Sequence, residues 1–215
     1  MKLDPKVVTR RFTNFLAISF WCALRALTTV SSHRISGSPE HQAYQVVSEV
    51  LFTTEPAIAT LAVSTRVEHN IFFDGGSWGN PGPGGIGTVI LQTTAIMSYR
   101  RASMTNNEAE YLGLFHGFGY AWAARLQSVH VVGDRQLIIR QMRDRRTSKA
   151  EVLRTLYRRC QLLADECRVE TWIHHYREFN RMADSLSNLA MDTTHSRQTR
   201  LPVHGEPNGC WSASF

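Results

Sequence analysis

Cysteine is scarce in this chain and poorly placed for structural chemistry. Its four cysteines, Cys22, Cys160, Cys167 and Cys210, form no Cys-x-x-Cys pair and have no partner histidines at zinc spacing. A zinc finger or a dense disulfide framework is therefore excluded, and reduced structural thiols in an intracellular protein are the simpler reading. No apolar run reaches the ~18 residues that cross a bilayer, so a membrane partner is not expected. The glycine-proline stretch Gly79 to Gly87 lacks the Lys-Ser/Thr pair of a phosphate-cradling P-loop, so it reads as a strand connection. Acids are nearly missing at the start. Up to Ser38 there are six basic residues (Lys2, Lys6, Arg10, Arg11, Arg25, Arg34) against one acid, Asp4.

That opening segment is Arg-rich, Ser-rich, acid-poor and amphipathic, which is the composition of an organelle transit peptide. An irregular extension is the alternative, and a secretory signal fits less well because no small-residue cleavage site follows. Compartment stays open between nucleus or cytoplasm and mitochondrion. The 215 residues divide into an N-terminal extension over 1–68, a core domain over 69–192 and a tail over 193–215. The tail has scattered Pro, Gly and Ser without periodicity and is expected to be poorly ordered. An apolar fraction of 43% supports a sizeable core, and a net charge of +6 favours a polyanionic partner.

Within the core domain the patterns are sharp. Val67 to Asp74, Gly87 to Gln92, Ala95 to Arg101, Ser128 to Val132 and Arg168 to His174 read as strands, with a turn at Thr93 and Thr94. Thr105 or Asn106 caps a helix running to about Ala124, whose apolar residues Ala109, Leu112, Phe115, Phe118 and Trp122 recur at helical spacing. Further helices are predicted over Gln136 to Met142, Ala150 to Glu166 and Met182 to Met191. Three adjacent strands followed by alternation predict an α/β fold: a five-stranded mixed sheet with helices on both faces.

Four acids sit inside local patterns of their own. Asp74 and Asp134 end apolar strands, Ile71-Phe72-Phe73-Asp74 and Val129-His130-Val131-Val132-Gly133-Asp134. Glu110 lies in Thr105-Asn106-Asn107-Glu108-Ala109-Glu110, and Asp184 in Arg177-Glu178-Phe179-Asn180-Arg181-Met182-Ala183-Asp184. A carboxylate at the end of a buried strand is costly unless something positive meets it. Four that converge make an oxygen-only site for a hard divalent cation, which suits phosphodiester hydrolysis. Taken singly, each acid also fits a turn, a solvated helix or a helix-dipole position. Glu108 precedes Glu110 by two positions and so faces away from it.

Taken together, in this order, Asp74-Gly75-Gly76-Ser77 with Gly79 to Gly87, Thr105-Asn106-Asn107-x-Ala109-Glu110, Gly133-Asp134 and Arg177-Glu178-x-Asn180-x-x-Ala183-Asp184-x-Leu186 resemble the ribonuclease H type 1 family, in its plant-type and retroelement-like branch. The resemblance implies a ribonuclease H-like fold. It implies an endonuclease that hydrolyses the RNA strand of RNA–DNA hybrids, with Asp74, Glu110, Asp134 and Asp184 both catalytic and holding two Mg²⁺ ions, Mn²⁺ serving as a substitute. It further implies that Gly75, Gly76, Ser77 and Asn107 meet the RNA strand. Thr105 and Asn106 would hold phosphate or sugar near the helix start, and Asn180 counts among the substrate-binding residues. The expected partner is an RNA–DNA hybrid, bound by a monomer. A non-catalytic nucleic-acid-binding remnant of a retroelement is the alternative, and an integrase- or resolvase-like nuclease the third reading.

Two departures from the family pattern stand out. The segment before the last acid is short, so His174, His175 or Arg177 is the candidate for the histidine that bacterial members carry there. No basic handle is inserted between helices; Arg135, Arg140, Arg143, Arg145, Arg146 and Lys149 are the candidates for gripping DNA phosphates. Trp78 and Trp172 read as packing residues.

Overall fold

The structure is a computed structural model that describes residues 42–43, 45–46, 69–91 and 95–200. Among the described residues six strands form one sheet: β1 (His69–Ser77), β2 (Gly82–Leu91), β3 (Ala95–Met104), β4 (Val129–Gly133), β5 (Val169–His174) and β6 (Arg197–Arg200), in the order β5-β4-β1-β2-β3-β6. The first three form an antiparallel meander, and β4 and β5 add in parallel beside β1. Helices α1 (Asn106–Ala123), α2 (Gln136–Arg143), α3 (Glu151–Glu166) and α4 (Arg181–Thr193) cover the two faces, with a 3₁₀ turn at Arg177–Phe179.

β1 is central and covered on both sides, so its apolar run is continuous and not alternating. Ile71 and Phe73 join Val129, Val131, Leu114 and Phe118 in the core beneath α1 and α3. Phe72 joins Val89, Ile96, Val132, Ala183 and Leu186 beneath α4. α4 lies close on β2 because β2 is glycine-rich where they cross: a Cβ on Gly87 would sit 2.0 Å from the Ala183 carbonyl oxygen. Among the described residues no helix is long and apolar enough to cross a membrane.

The α/β mixed sheet stands as expected, but it has six strands and not five. The sixth, Arg197–Arg200, lies in the stretch expected to be poorly ordered and pairs antiparallel with β3 from Ala95↔Arg200 to Ser98↔Arg197. Its sequence, Arg-Gln-Thr-Arg, shows no apolar alternation, because a short edge strand is held by backbone pairing and tolerates charge. α4 runs to Thr193 and ends on Thr194 in left-handed backbone, φ 57°. β2 starts at Gly82, so much of the predicted Gly79–Gly87 connection is strand. Thr93 and Thr94 lie outside the described residues, as does the transit-like segment before Ser38. Within the predicted extension, residues 42–43 and 45–46 are helical. Ala43 is buried in the core under α4, and the Gln42 side-chain oxygen accepts a 2.7 Å hydrogen bond from Arg197 Nη2.

Candidate metal and nucleic-acid site

The parallel pairing of β1 with β4 stops at Phe73↔Gly133, which brings Asp74, within β1 and not at its end as expected, next to Asp134 just past the end of β4. Glu110 comes from α1. That helix starts where Thr105 caps it: Thr105 Oγ1 accepts from Glu108 N–H at 3.3 Å, and Glu108 Oε2 accepts from Thr105 N–H at 2.7 Å. This capping box spends Glu108 on the helix end. The helix then passes so close over β1 that a Cβ on Gly75 would lie 2.2 Å from the Ala109 carbonyl carbon and 2.5 Å from the Glu110 nitrogen. Glycine at 75 is what lets Glu110 reach Asp74 and Asp134.

One carboxylate oxygen each from Asp74, Glu110 and Asp134 can be chosen so that all lie within 4.8 Å of one another. Asp74 is only 6% exposed and Glu110 4%. Burial, then the charge of Asp134, pushes the Asp74 carboxyl up to about 6 from its ordinary 3.8, opposed by the Ser187 hydrogen bond. Burial, then Asp74 and Asp134, holds Glu110 well above the usual carboxylate range. Asp134 is raised by burial and drawn back by Arg177. Glu110 Oε2 and Asp134 Oδ1 are buried without a hydrogen-bond partner. A dry cluster of mutually repelling carboxylates with orphaned oxygens is the donor set of a hard divalent cation, whose charge relieves the repulsion. The residues therefore fit a magnesium-like ion.

Asp184 stands apart from that trio. It sits in the first turn of α4, where Arg177 Nε and Nη2 both donate to its Oδ1, the former at 2.9 Å. Its charge still raises the carboxyls of Asp74 and Asp134. Arg177 is thus the residue of the short pre-acid segment that meets a site acid by its side chain. His174 Nε2 lies 3.0 Å from the backbone oxygen of Asp134. Burial, then His174, lowers the pKa of His175.

The expected substrate residues divide into two groups. Ser77 donates from N–H (2.8 Å) and from its hydroxyl (3.0 Å) to Asn106 Oδ1, and Asn106 N–H donates to Asn80 Oδ1 at 3.1 Å. The β1–β2 loop and the start of α1 are therefore one latched surface, with Gly76, Ser77, Asn106 and Asn107 half-buried on it. Asn180 belongs elsewhere. It is completely buried, and its amide donates to the Phe73 carbonyl at 2.8 Å. It ties the start of α4 to β1 through that bond and is sealed from solvent.

Sequence reasoning missed Asn80 and Ser187. Asn80 sits in the loop read as a plain connection. Ser187 lies three residues after Asp184, on the same helix face, and that spacing was the available signal. Trp78 is a correction: it is 56% exposed and not packed. Trp172 is partly buried, edge-on to Phe118 at 5.8 Å. In the basic stretch, Arg143 pairs with Asp144 and Arg145 with Asp165, while Arg140, Arg146 and Lys149 are exposed.

The family model described as reverse transcriptase-like matches residues 72–190. The bifunctional protein Rv2228c of Mycobacterium tuberculosis is 38% identical over 124 residues, 55% of this chain and 34% of its own length. The ribonuclease HI of Halobacterium salinarum is 31% identical over 128 residues, 56% of this chain and 63% of its own. This chain thus spans about a third of the first of these relatives and under two thirds of the second. Among solved structures, the N-terminal RNase H domain of Rv2228c superposes with a TM-score of 0.55 at 36% identity, over 59% of this chain and 95% of that one. LC11-RNase H1, solved in complex with an RNA/DNA hybrid, gives 0.54 at 32% identity, over 59% and 98%. With the family model matching more than half of its residues, the chain belongs to the reverse transcriptase-like family and carries a ribonuclease H-like domain.

Proposed function

We propose that this chain is a divalent-metal-dependent endonuclease that hydrolyses the RNA strand of RNA–DNA hybrids by a two-metal-ion mechanism. The observation that carries the reading is the trio of carboxylate oxygens within 4.8 Å, two of the acids nearly sealed from solvent. Asp74, Glu110 and Asp134 would hold one ion, and Asp74 with Asp184 the second. When bound, divalent cations supply Lewis acidity at the scissile phosphate and water of lowered pKa.

The chain's own contribution is position. Gly75 and the Asn180–Phe73 bond fix where the acids stand. With Asn106 Oδ1 already taken by both Ser77 groups, Asn106 has only its amide NH₂ to offer, a donor suited to 2′-hydroxyl or phosphate oxygens in a wide minor groove. Thr105 acts by capping α1, whose N-terminal end favours an anion through the helix dipole. Exposed Arg140, Arg146 and Lys149 suit the phosphates of the DNA strand. The neighbour LC11-RNase H1, crystallised with a hybrid, supports the substrate class.

One observation favours a binding-only protein: Arg177 holds Asp184 outside the trio. The test is cleavage of an end-labelled hybrid in Mg²⁺, in EDTA, and by Asp134→Asn. Wild type cuts hybrid and leaves duplex DNA, and the variant loses at least ~10²-fold, the scale of removing one preorganised electrostatic group. Hybrid binding without cleavage would establish the remnant; equal activity in Asp134→Asn rejects the site.

A further inference from the structure

A cavity of about 360 Å³ opens between the C-terminal end of α2, the last turns of α3 and the start of β5. It is not the acidic site. None of the four acids lines it, and β5, which lines it from Val169 to Trp172, meets Asp134 at His174, ~7 Å further along a strand rising ~3.3 Å per residue.

Three arginines line it, Arg143, Arg145 and Arg168, against one acid, Asp165. The pairs Arg143–Asp144 and Arg145–Asp165 are solvent-exposed at the cavity's edge and so easily exchanged for a ligand. Trp172 lines the same space, anchored edge-on against Phe118 and not fully covered. Gln161 lines it as well, with its side-chain oxygen buried and without a hydrogen-bond partner. A ligand donor satisfies such an oxygen.

The backbone adds an independent sign. Arg145 and Arg168 follow α2 and α3 in left-handed conformation, φ 54° and 50°, a position that glycine usually takes. Arg125 after α1 is similar, φ 56°, so the attraction of arginine to a helix C-terminus explains one such residue at a time. It does not explain two converging on one polar cavity beside an aromatic ring and an unsatisfied amide.

The geometry points to a second ligand site, one that takes a nucleoside monophosphate, either free or as the 5′-terminal nucleotide of a nucleic acid. The guanidinium groups receive the phosphate in bidentate fashion. The base lies against Trp172, and Gln161 pairs with its polar edge, which selects a nucleobase over a plain aromatic ring. The volume lies in the lower part of the range for small-molecule sites.

The experiment is calorimetric titration of the full chain in EDTA, which keeps metal-bound nucleotide off the acids. The probes are the common ribonucleoside 5′-monophosphates, inorganic phosphate, the nucleosides, and a short oligonucleotide with and without a 5′-phosphate. Single-site binding of at least one monophosphate is expected, at least about tenfold tighter than phosphate or nucleoside alone. Arg168→Gly suits the left-handed backbone and keeps the melting temperature, yet weakens binding by about tenfold or more. Gln161→Leu weakens it too. Preference for the phosphorylated oligonucleotide assigns the site to a nucleic-acid end; binding of mononucleotide alone assigns it to free nucleotide. The proposal is overturned if no monophosphate binds saturably, if phosphate binds as tightly, or if neither variant changes the affinity.

Discussion

Ser187 and Asp74 meet in the buried seam between α4 and β1, the serine hydroxyl 2.8 Å from Asp74 Oδ2 and 2.9 Å from the backbone oxygen of Asp184. One hydroxyl hydrogen cannot fully serve both acceptors. Ser187 donates to Asp74, which draws that carboxyl's pKa down, while burial and the charge of Asp134 push it up to about 6. The contact also joins the helix turn that carries Asp184 to the strand that carries Asp74.

A pH dependence of stability follows with a definite sign. Asp74 has its folded pKa raised, from 3.8 to about 6. Its contribution to stability is therefore complete below the unfolded value and is lost as pH rises through the folded one. The shift corresponds to about 3 kcal/mol. In EDTA, the melting temperature of wild type should fall between about pH 4 and pH 6 relative to that of Asp74→Asn, and Mg²⁺ should restore it at pH 7 by binding the folded state. Parallel melting curves for the two proteins across that window would remove the assignment.

Gly75→Ala should be among the most damaging single-methyl changes in the chain. The added carbon would meet the Ala109 carbonyl carbon at 2.2 Å, and backbone cannot step aside as a side chain can. Overpacking of this kind costs roughly 1–3 kcal/mol or more. Chemical denaturation should show that loss, together with weaker hybrid cleavage as Glu110 is pushed away from Asp74 and Asp134. A variant as stable and active as wild type would contradict the close approach.

Arg177→Ala should separate stability from electrostatics. Its side chain is 71% exposed and its partner Asp184 20%, so the ion pair itself is worth ~1 kcal/mol or less. Its charge nonetheless lowers the carboxyls of Glu110 and Asp134. We expect little change in melting temperature, while the acidic limb of the cleavage pH profile moves to higher pH. A limb that stays in place shows that Arg177 does not act on the trio.

Truncation distinguishes two parts of the N-terminal segment. Removing residues 1–38 should leave folding and cleavage unchanged, as the composition of an address implies. Removing residues 1–66 also takes away Ala43 from the core and Gln42 from Arg197. The longer truncation should melt several degrees lower, since ~1 kcal/mol shifts a domain of this size by about 2–4 °C. Identical melting of the two truncations would make the Ala43 contact dispensable.

The fold was readable where burial writes a period into the chain. β1 announces itself by Ile71-Phe72-Phe73 and α1 by Phe115, Phe118 and the Thr105–Glu108 box, because both elements bury apolar side chains at regular spacing. β6 was not readable: Arg-Gln-Thr-Arg carries no alternation, and its strand character comes from β3. Trp78 misled for a related reason. Its residue type suggests burial, but it sits on a loop held by backbone contacts, Trp78 N–H to the Pro83 oxygen among them, and stays more than half exposed. Asn180 misled in the other direction, since a polar residue beside a site acid turned out to satisfy a buried carbonyl.

The amino-acid sequence by itself determined which acids to watch, since each carries a local mark: two end apolar runs, one follows a capping box, one opens a helix. It also determined the α/β class, through periodicities that depend only on near neighbours. The tertiary structure alone decided that Asp74, Glu110 and Asp134 share one small volume while Asp184 turns to Arg177. It alone seated Ser187 on Asp74, 113 positions away. Such meetings depend on strand register and on how closely a helix can approach a glycine, and both are set by contacts between distant segments that leave no pattern within either one.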